Sequence, residues 1–303
     1  MKKIHIIGNC FLALVIGQSN IPQFNSQSAF KELVKQCEFG PRNPGSVGHQ
    51  NALAYFNDFF RKTADTTFVQ EFQDVMPRTR KEVKMSNIIA RFNPGSDQHI
   101  MISAHWDTRP WAENSVSIMR KNQPIIGAND GASGVAVILE IARTLKNFPP
   151  QIGVSLVLFD AEDYGSSEDS WSYCKGSQYF AQNVPFPYPQ YAINLDMVAD
   201  KDPQFYIERY SYQQNSALVL ELWEKAASLN LTSFKKQAKY TIFDDHVPLY
   251  QIAGIPAIDI IDFDFPNEKD NYHHTHRDIV ENCSPKGLGE VGTLMLHHIY
   301  GKK

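Results

Sequence analysis

Five clusters of acidic, amide and histidine residues each stand at the end of an apolar run or in the loop directly after one. In chain order they are His105-Trp106-Asp107, residues 127–131, residues 160–163, Asn194-Leu195-Asp196 and His274-Thr275. Short apolar runs of this kind are typical of buried strands. Because parallel strands bring their carboxyl ends to one edge of a sheet, we expect the clusters to meet there. The chain is therefore restricted to folds in which one sheet edge carries a polar site.

Helical and strand patterns alternate from Asp130 to the end of the chain. The main ones are helices at 132–146, 213–229 and 285–300 and strands at 153–159, 191–196 and 257–261. Alternation with continuously apolar strands predicts a three-layer α/β/α fold around a central mixed, mostly parallel and twisted sheet. It also predicts that the ligand crevice lies beyond the carboxyl ends of the strands.

Three strand-like runs precede this region, at 67–72, 86–92 and 100–104, with a turn at 93–96. Their spacing predicts a meander that leads into a buried strand. The longest irregular stretches adjoin the polar clusters, at 108–127, 164–175 and 262–273. Since binding residues concentrate on loops held by a rigid scaffold, we expect these stretches to form the walls of a pocket.

The bulk properties exclude one class of partner. The 303 residues are 43% hydrophobic, which is enough apolar material for a sizeable core. The formal net charge is -4, and acidic and basic residues are interspersed without a basic stripe. Binding to a nucleic-acid backbone requires such a stripe, so nucleic acid is not expected as a partner.

Residues 1–20 have the pattern of an export signal. Lys2 and Lys3 precede an apolar stretch that is followed by small polar residues, and this stretch is too short for the roughly 20 apolar residues of a membrane span. We expect an exported, periplasmic protein without an integral membrane domain, in which residues 21–303 form a single catalytic domain. Lipid attachment at Cys10 or a retained signal would instead tether it to a membrane. Removal of the signal leaves three cysteines, which cannot form a complete disulfide framework.

The residue types in the clusters are those of a catalytic zinc site. Zinc in such sites takes nitrogen and carboxylate ligands, keeps one position open and works beside a carboxylate that moves protons. Asp130, Asp163 and His274 can supply the ligands, and Glu162 can carry the proton. Three carboxylates within 160–163 would repel one another unless a cation or shared protons relieved them.

Each cluster also has a simpler interpretation. Asp130 precedes a helical pattern and would by itself be read as a helix N-cap. Residues 160–163 could form a solvated loop, and Asp196 a turn or a hydrogen-bond acceptor. One of the two aspartates at 244 and 245 could cap the helix that follows them. The joint order of the clusters, rather than any one of them, favours a metalloenzyme.

That order resembles the zinc exopeptidase family of aminopeptidases, from about Asn87 to the end of the chain. Within the family, several segments are similar to glutaminyl cyclases, which convert N-terminal glutamine to pyroglutamate. These segments are residues 105–109, 159–165, Gly176-Ser177, 244–248 and 254–256. The 159–165 segment is similar to bacterial cyclases of the animal type.

The resemblance implies a role for each matching position. Asp130, Asp163 and His274 would bind a single zinc ion per chain, and Glu162 would be the general acid and base. Asp196 and Asp244 would be hydrogen-bonding partners of Glu162. The implied substrates are glutaminyl peptides and exported proteins with N-terminal glutamine, and the implied enzyme is a zinc-dependent glutaminyl-peptide cyclotransferase, an acyltransferase.

Two positions depart from the animal cyclases. Asp163 stands where those enzymes have glutamate, and His273 stands where they have a pocket tryptophan. The pocket must therefore be walled differently, and the candidates for its apolar wall are Trp111, Trp171, Phe263 and Phe265.

A zinc aminopeptidase on the same scaffold is the alternative. In that enzyme His105 and Asp196 would hold a second zinc ion, Asp130 would bridge the two ions and Glu162 would activate water. Every ligand for the second ion is present, so residue types do not exclude it. The flanking sequence of Asp244 and the loop that carries Trp111 favour the cyclase.

Overall fold

A computed structural model describes residues 21–302 of the chain. The predicted export signal, with Cys10, lies outside the described residues. The strands are β1 (Thr66–Val75), β2 (Glu82–Phe92), β3 (His99–His105), β4 (Gly153–Phe159), β5 (Ala192–Asp196), β6 (Phe205–Ile207), β7 (Phe234–Ala238) and β8 (Ala257–Ile261). The α-helices are α1 (Ser26–Glu38), α2 (Val47–Thr63), α3 (Ala132–Asn147), α4 (Lys175–Gln182), α5 (Arg209–Ser228), α6 (His246–Ala253) and α7 (Pro285–Gly301). No helix within 21–302 combines the length and the apolar character needed to cross a membrane.

Six strands form the central sheet in the order β1-β2-β4-β3-β5-β8. The pairings of β2 with β1 and β4 are antiparallel, and β4, β3, β5 and β8 run parallel to one another. The register places His105 beside Phe159 and Asp196 beside Ile261, so these strands end at the same edge. The mixed, mostly parallel sheet predicted from the sequence is confirmed.

The predicted meander is wrong in its pairing order. β4 lies between β2 and β3, so the turn at 93–96 carries the chain across β4. All seven residues of β4 are buried, which suits it to the middle of the sheet, covered on both faces. Asn93 at this turn has a φ of 47° and donates from Nδ2 to the carbonyls of Pro150 and Gln151, just before β4 begins.

Helices cover both faces of the sheet. Since successive side chains of a strand point to opposite faces, one strand contributes to a core on each side. Leu156 and Leu158 of β4 pack in the larger core with residues of α1, α2, α3, α5 and α7. Val157 and Phe159 of the same strand pack in a second core with Phe180 of α4 and residues of α6. This arrangement is the predicted three-layer α/β/α fold.

Candidate active site

The carboxyl ends of the parallel strands surround one cavity of about 290 Å³. Six residues that the sequence singled out as site residues line this cavity, namely the acidic residues Asp130, Glu162, Asp163, Asp196 and Asp244 together with His274. They come from the loops after β3, β4 and β8, from the end of β5 and from the start of α6. The structure therefore brings together all the predicted zinc ligands and all the predicted catalytic carboxylates.

Two of the predicted zinc ligands, Asp130 and Asp163, each lie near the third, His274. Nε2 of His274 lies 3.0 Å from Oδ1 of Asp163 and 3.8 Å from Oδ2 of Asp130. Oδ2 of each aspartate is buried and has no hydrogen-bond partner. Buried carboxylates without a partner are costly unless a cation is present. One nitrogen and two carboxylate donors that face an open cavity fit a catalytic zinc ion.

His274 is oriented by an outer hydrogen bond. Oε1 of Glu113 lies 3.1 Å from Nδ1 of His274, which leaves Nε2 directed at the aspartates. Arg109 binds Glu113 at 2.5 Å and Asp163 at 3.3 Å. Burial raises the pKa of Glu113, but hydrogen bonds from His274 and Arg109 outweigh burial and lower this pKa to about 2. A carboxylate that holds the outer nitrogen of a histidine is common in metal sites.

His273 is the other histidine within reach of Asp130. It lines the cavity and stacks on His274 with ring centroids 3.6 Å apart. Its Nε2 lies 3.9 Å from Oδ2 of Asp130. No carboxylate lies within hydrogen-bond distance of its Nδ1 in the described chain, in contrast to the arrangement at His274. Orientation therefore favours His274 as the ligand.

Asp107 fixes the backbone that carries Glu162 and Asp163. Its buried carboxylate accepts the backbone N–H of Glu162 at 3.0 Å and that of Asp163 at 3.3 Å. Asp160 points away from the cavity, where it accepts from His49 at 2.9 Å and from the N–H of Ser86 at 2.6 Å. The crowding expected within 160–163 is thus relieved for Asp160 by a buried histidine.

Arg42 fixes the loop that carries Asp130 through hydrogen bonds to backbone carbonyls. This fully buried side chain donates to the carbonyls of Trp106, Ile126 and Gly127 at 3.1, 3.0 and 2.7 Å. Asp130 does not cap α3, because Gly131 occupies the N-cap position and no side chain accepts there. Gly131 has a φ of 99°, and a Cβ atom there would lie 2.3 Å from a carbonyl oxygen, so the loop requires glycine at this point.

Replacing Arg42 with methionine is expected to lower the free energy of unfolding by about 3 kcal/mol and to weaken zinc retention. The substitution leaves buried carbonyls without a donor and frees the loop that carries Asp130. Urea unfolding and zinc content after dialysis measure the two effects. The same change at Arg61, exposed on α2, is the control. Unchanged zinc retention in R42M would contradict this role.

Asp244 stands beside Glu162. Each offers a carboxylate oxygen within 4.8 Å of the other. Asn194 donates to Asp244 at 2.7 Å and accepts from Ser103 at 2.9 Å. Asp244 does not cap α6, because Asp245 occupies the N-cap position and makes no side-chain cap bond.

The pKa values of two cavity carboxyl groups, those of Glu162 and Asp196, are raised. Burial raises the pKa of Glu162 well above its ordinary value; His105 acts against this shift and Asp244 adds to it. Burial also raises the pKa of Asp196 to about 7, against the opposing effect of His105. Raised values suit carboxyl groups that exchange protons near neutral pH.

A second cluster joins His105, Asp130 and Asp196. Nε2 of His105 lies 3.1 Å from Oδ1 of Asp196 and 3.2 Å from Oδ1 of Asp130. Asp130 therefore directs one oxygen at His105 and the other at His274. Burial lowers the pKa of His105, but the charge of Asp196 and the nearby carboxylates of Asp107 and Asp130 raise it well above its ordinary value.

The four candidates for the apolar wall fall in different places. Phe263 lines the cavity, and Trp171 stands outside it, packed edge-on against Phe243 of the lining. Trp111 and Phe265 do not line the cavity either, which corrects the expectation for these two residues and for Trp171. Trp111 is buried in a separate cluster with its ring edge-on to that of Tyr164, and Phe265 is fully buried in the larger core.

The rest of the wall comes from a segment that the sequence did not indicate. Tyr240, Ile242 and Phe243 line the cavity just before Asp244. They sit in an irregular stretch between β7 and α6, so no periodicity marks them. The predicted wall at 108–127 instead supplies Glu113 to His274.

The chain is similar in sequence and in fold to known proteins. Residues 87–299 match peptidase family M28. An aminopeptidase of Bacillus subtilis is 27% identical over 71% of this chain, a region that spans 44% of that enzyme. A glutaminyl-peptide cyclotransferase of the snake Boiga irregularis is 26% identical and covers 93% of this chain and 83% of its own length. The structure of a Bacteroides thetaiotaomicron glutaminyl cyclase superposes with a TM-score of 0.89 at 32% identity, covering 94% of this chain and 100% of that one.

Proposed function

Because this chain belongs to peptidase family M28 and its structure is similar to solved glutaminyl cyclases, we propose that it is a zinc-dependent glutaminyl-peptide cyclotransferase. It converts N-terminal glutamine of peptides and proteins to pyroglutamate and releases ammonia. The observation that carries the proposal is the position of Asp244, which Asn194 holds beside Glu162 instead of at a helix cap.

Asp130, Asp163 and His274 would hold one zinc ion per chain. A bound zinc supplies a Lewis acid for the side-chain carbonyl of the substrate glutamine. The cavity that these residues face is lined by Ile242, Phe243 and Phe263, which limit access of water to the reacting carbon. A cavity of about 290 Å³ accommodates one side chain of this size.

Glu162 moves the proton. The α-amine of the substrate attacks the carbon of its own side-chain carbonyl, a carbon–nitrogen bond forms and the bond to the amide nitrogen breaks. Glu162 accepts a proton from the attacking amine and delivers it to the departing ammonia. A carboxylate whose pKa burial raises is suited to both steps. Asp196 and Asp244 act as hydrogen-bonding partners that control the charge around Glu162.

Replacing Asp244 with asparagine is expected to lower kcat by roughly 10²-fold while thermal stability changes little. Asparagine preserves the shape of the side chain but removes its charge from beside Glu162. Steady-state kinetics and thermal unfolding of the same sample separate the two effects. D262N, at another buried aspartate, is the control. Equal losses of activity and stability in D244N would point to a structural role.

The alternative function is a di-zinc aminopeptidase, and one observation favours it. The two oxygens of Asp130 face His105 and His274 separately, as a bridging carboxylate would. In that enzyme His105 and Asp196 would hold the second ion, and Glu162 would take a proton from the attacking water.

Two matched peptides distinguish the functions. A peptide with N-terminal glutamine and the same peptide with N-terminal leucine are incubated with the zinc-loaded protein, and the products are analysed by mass spectrometry. Loss of one ammonia from the glutaminyl peptide, with the leucyl peptide intact, is expected. Removal of either first residue would establish the aminopeptidase instead.

We also propose that residues 1–20 direct export and that residues 21–303 act as one catalytic domain in the periplasm. Its substrates would then include exported proteins with N-terminal glutamine. Tethering through the signal or through Cys10 remains part of this proposal. Cell fractionation of the full chain and of a C10S variant tests export and lipid attachment.

A further inference from the structure

Cys174 lies directly behind the proton carrier. Its thiol is 3.3 Å from Oε1 of Glu162, and its side chain is fully buried. The other oxygen of Glu162, Oε2, faces His105 at 4.0 Å. The thiol thus contacts one oxygen of the carboxylate and leaves the second free for the cavity. Neither the zinc site nor the proton transfer described above uses Cys174.

The backbone around Cys174 is hydrogen-bonded to the loop that carries Glu162. The N–H groups of Cys174, Lys175 and Gly176 donate to the carbonyls of Glu162, Ala161 and Asp160 at 2.9, 3.0 and 2.9 Å. These bonds fix the start of α4 against the acidic loop. Since Asp107 holds the same loop from the other side, the distance between the thiol and Glu162 is set by rigid structure.

Cys174 also has a backbone conformation that is unfavourable for residues with a side chain. Its φ of 55° and ψ of 37° are left-handed, a region that glycine adopts without strain and other residues adopt at a cost of about 1 kcal/mol. Glycine would satisfy the backbone better but would remove the thiol. A side-chain role at this position accounts for a cysteine where backbone geometry favours glycine.

The thiol keeps its proton in this environment. Burial raises the pKa of Cys174 well above its ordinary value, and the charge of Glu162 raises it further. A protonated thiol is a hydrogen-bond donor, and the carboxylate of Glu162 is the acceptor within its reach. The neighbouring acids Asp244 and Asp245 act on Cys174 in the same direction.

We propose that Cys174 is a positioning residue, whose thiol donates a hydrogen bond to Oε1 of Glu162 and thereby directs Oε2 at the reacting amine. This inference rests on the proposed function only in naming the amine, because Glu162 carries the proton in either reaction. Cys174 itself does not touch the substrate.

Four variants test the proposal: C174A, C174G, C174S and, as the matched control, C283A, which removes a buried thiol elsewhere in the core. We expect kcat to fall about tenfold in C174A and C174G, the effect of losing one hydrogen bond to a charged group, while KM stays within about twofold. C174S retains a donor and restores most of kcat. C174G should unfold at the same or a higher temperature than the wild type, since it relieves the left-handed strain.

Three results would overturn the proposal. They are a wild-type kcat in both C174A and C174G, a loss in C174S as large as that in C174A, and a loss of zinc from C174A, which would make Cys174 a metal ligand. All rates are compared with the wild type on whichever peptide it converts. A wild type that cleaves peptides would end the cyclase proposal, whereas the ratios among the variants would still decide the role of Cys174.

Discussion

Replacing Glu162 with glutamine should abolish turnover and leave zinc bound. Glutamine has nearly the same shape as glutamate but cannot accept a proton from the attacking amine. General acid and base catalysis contributes about 10²- to 10⁴-fold, so we expect kcat to fall by roughly 10³-fold. Zinc should stay because the three proposed ligands, Asp130, Asp163 and His274, do not include Glu162.

Kinetics and zinc analysis on the same preparation measure this prediction. E168Q is the matched control, because Glu168 is exposed and lies six residues further along the same segment. Its activity should equal that of the wild type. If E162Q still forms pyroglutamate at a comparable rate, another group carries the proton. Loss of zinc from E162Q would instead show that Glu162 is a ligand.

Replacing His274 with alanine should remove zinc, activity and much of the stability that zinc provides. Without its nitrogen ligand the site consists of two buried aspartates, which bind a cation more weakly and repel each other when it leaves. A metal that binds only the folded chain stabilises it by about 3 kcal/mol at a hundredfold excess over its dissociation constant. Thermal unfolding with and without added zinc measures this stabilisation of the folded chain.

His273 provides the control for this prediction. H273A removes the neighbouring imidazole, which lines the same cavity but has no carboxylate oriented behind it as Glu113 is behind His274. H273A should retain zinc, and its unfolding temperature should still rise when zinc is added. Retained zinc in H274A together with lost zinc in H273A would exchange the roles of the two histidines.

The sheet and the polar edge could be predicted because both follow from local pattern. Apolar runs such as 153–159 mark strands directly, and parallel strands must end at one edge. Strand order could not be predicted from such runs. β4 lies between β2 and β3 because of contacts between residues that are distant in sequence. No sequence pattern near the turn at 93–96 predicts these contacts.

The supporting residues of the site could not be found for the same reason. Glu113 and Cys174 lie outside the regular part of any helix or strand, and their contacts with His274 and Glu162 join residues that are distant in sequence or lie across a turn. A glutamate four residues after Arg109 is unremarkable outside a helix. The aromatic wall could not be predicted either, because the core and the cavity lining contain the same residue types. Phe265 lies in the core, whereas Phe263 lines the cavity.

Ammonia release from a glutaminyl dipeptide, with zinc content determined on the same sample, tests the central claim most directly. The account predicts ammonia equal to the pyroglutamyl product, an intact peptide bond and about one zinc ion per chain. Free glutamine, a cleaved peptide bond and about two zinc ions per chain would contradict it and would place His105 and Asp196 in the metal shell.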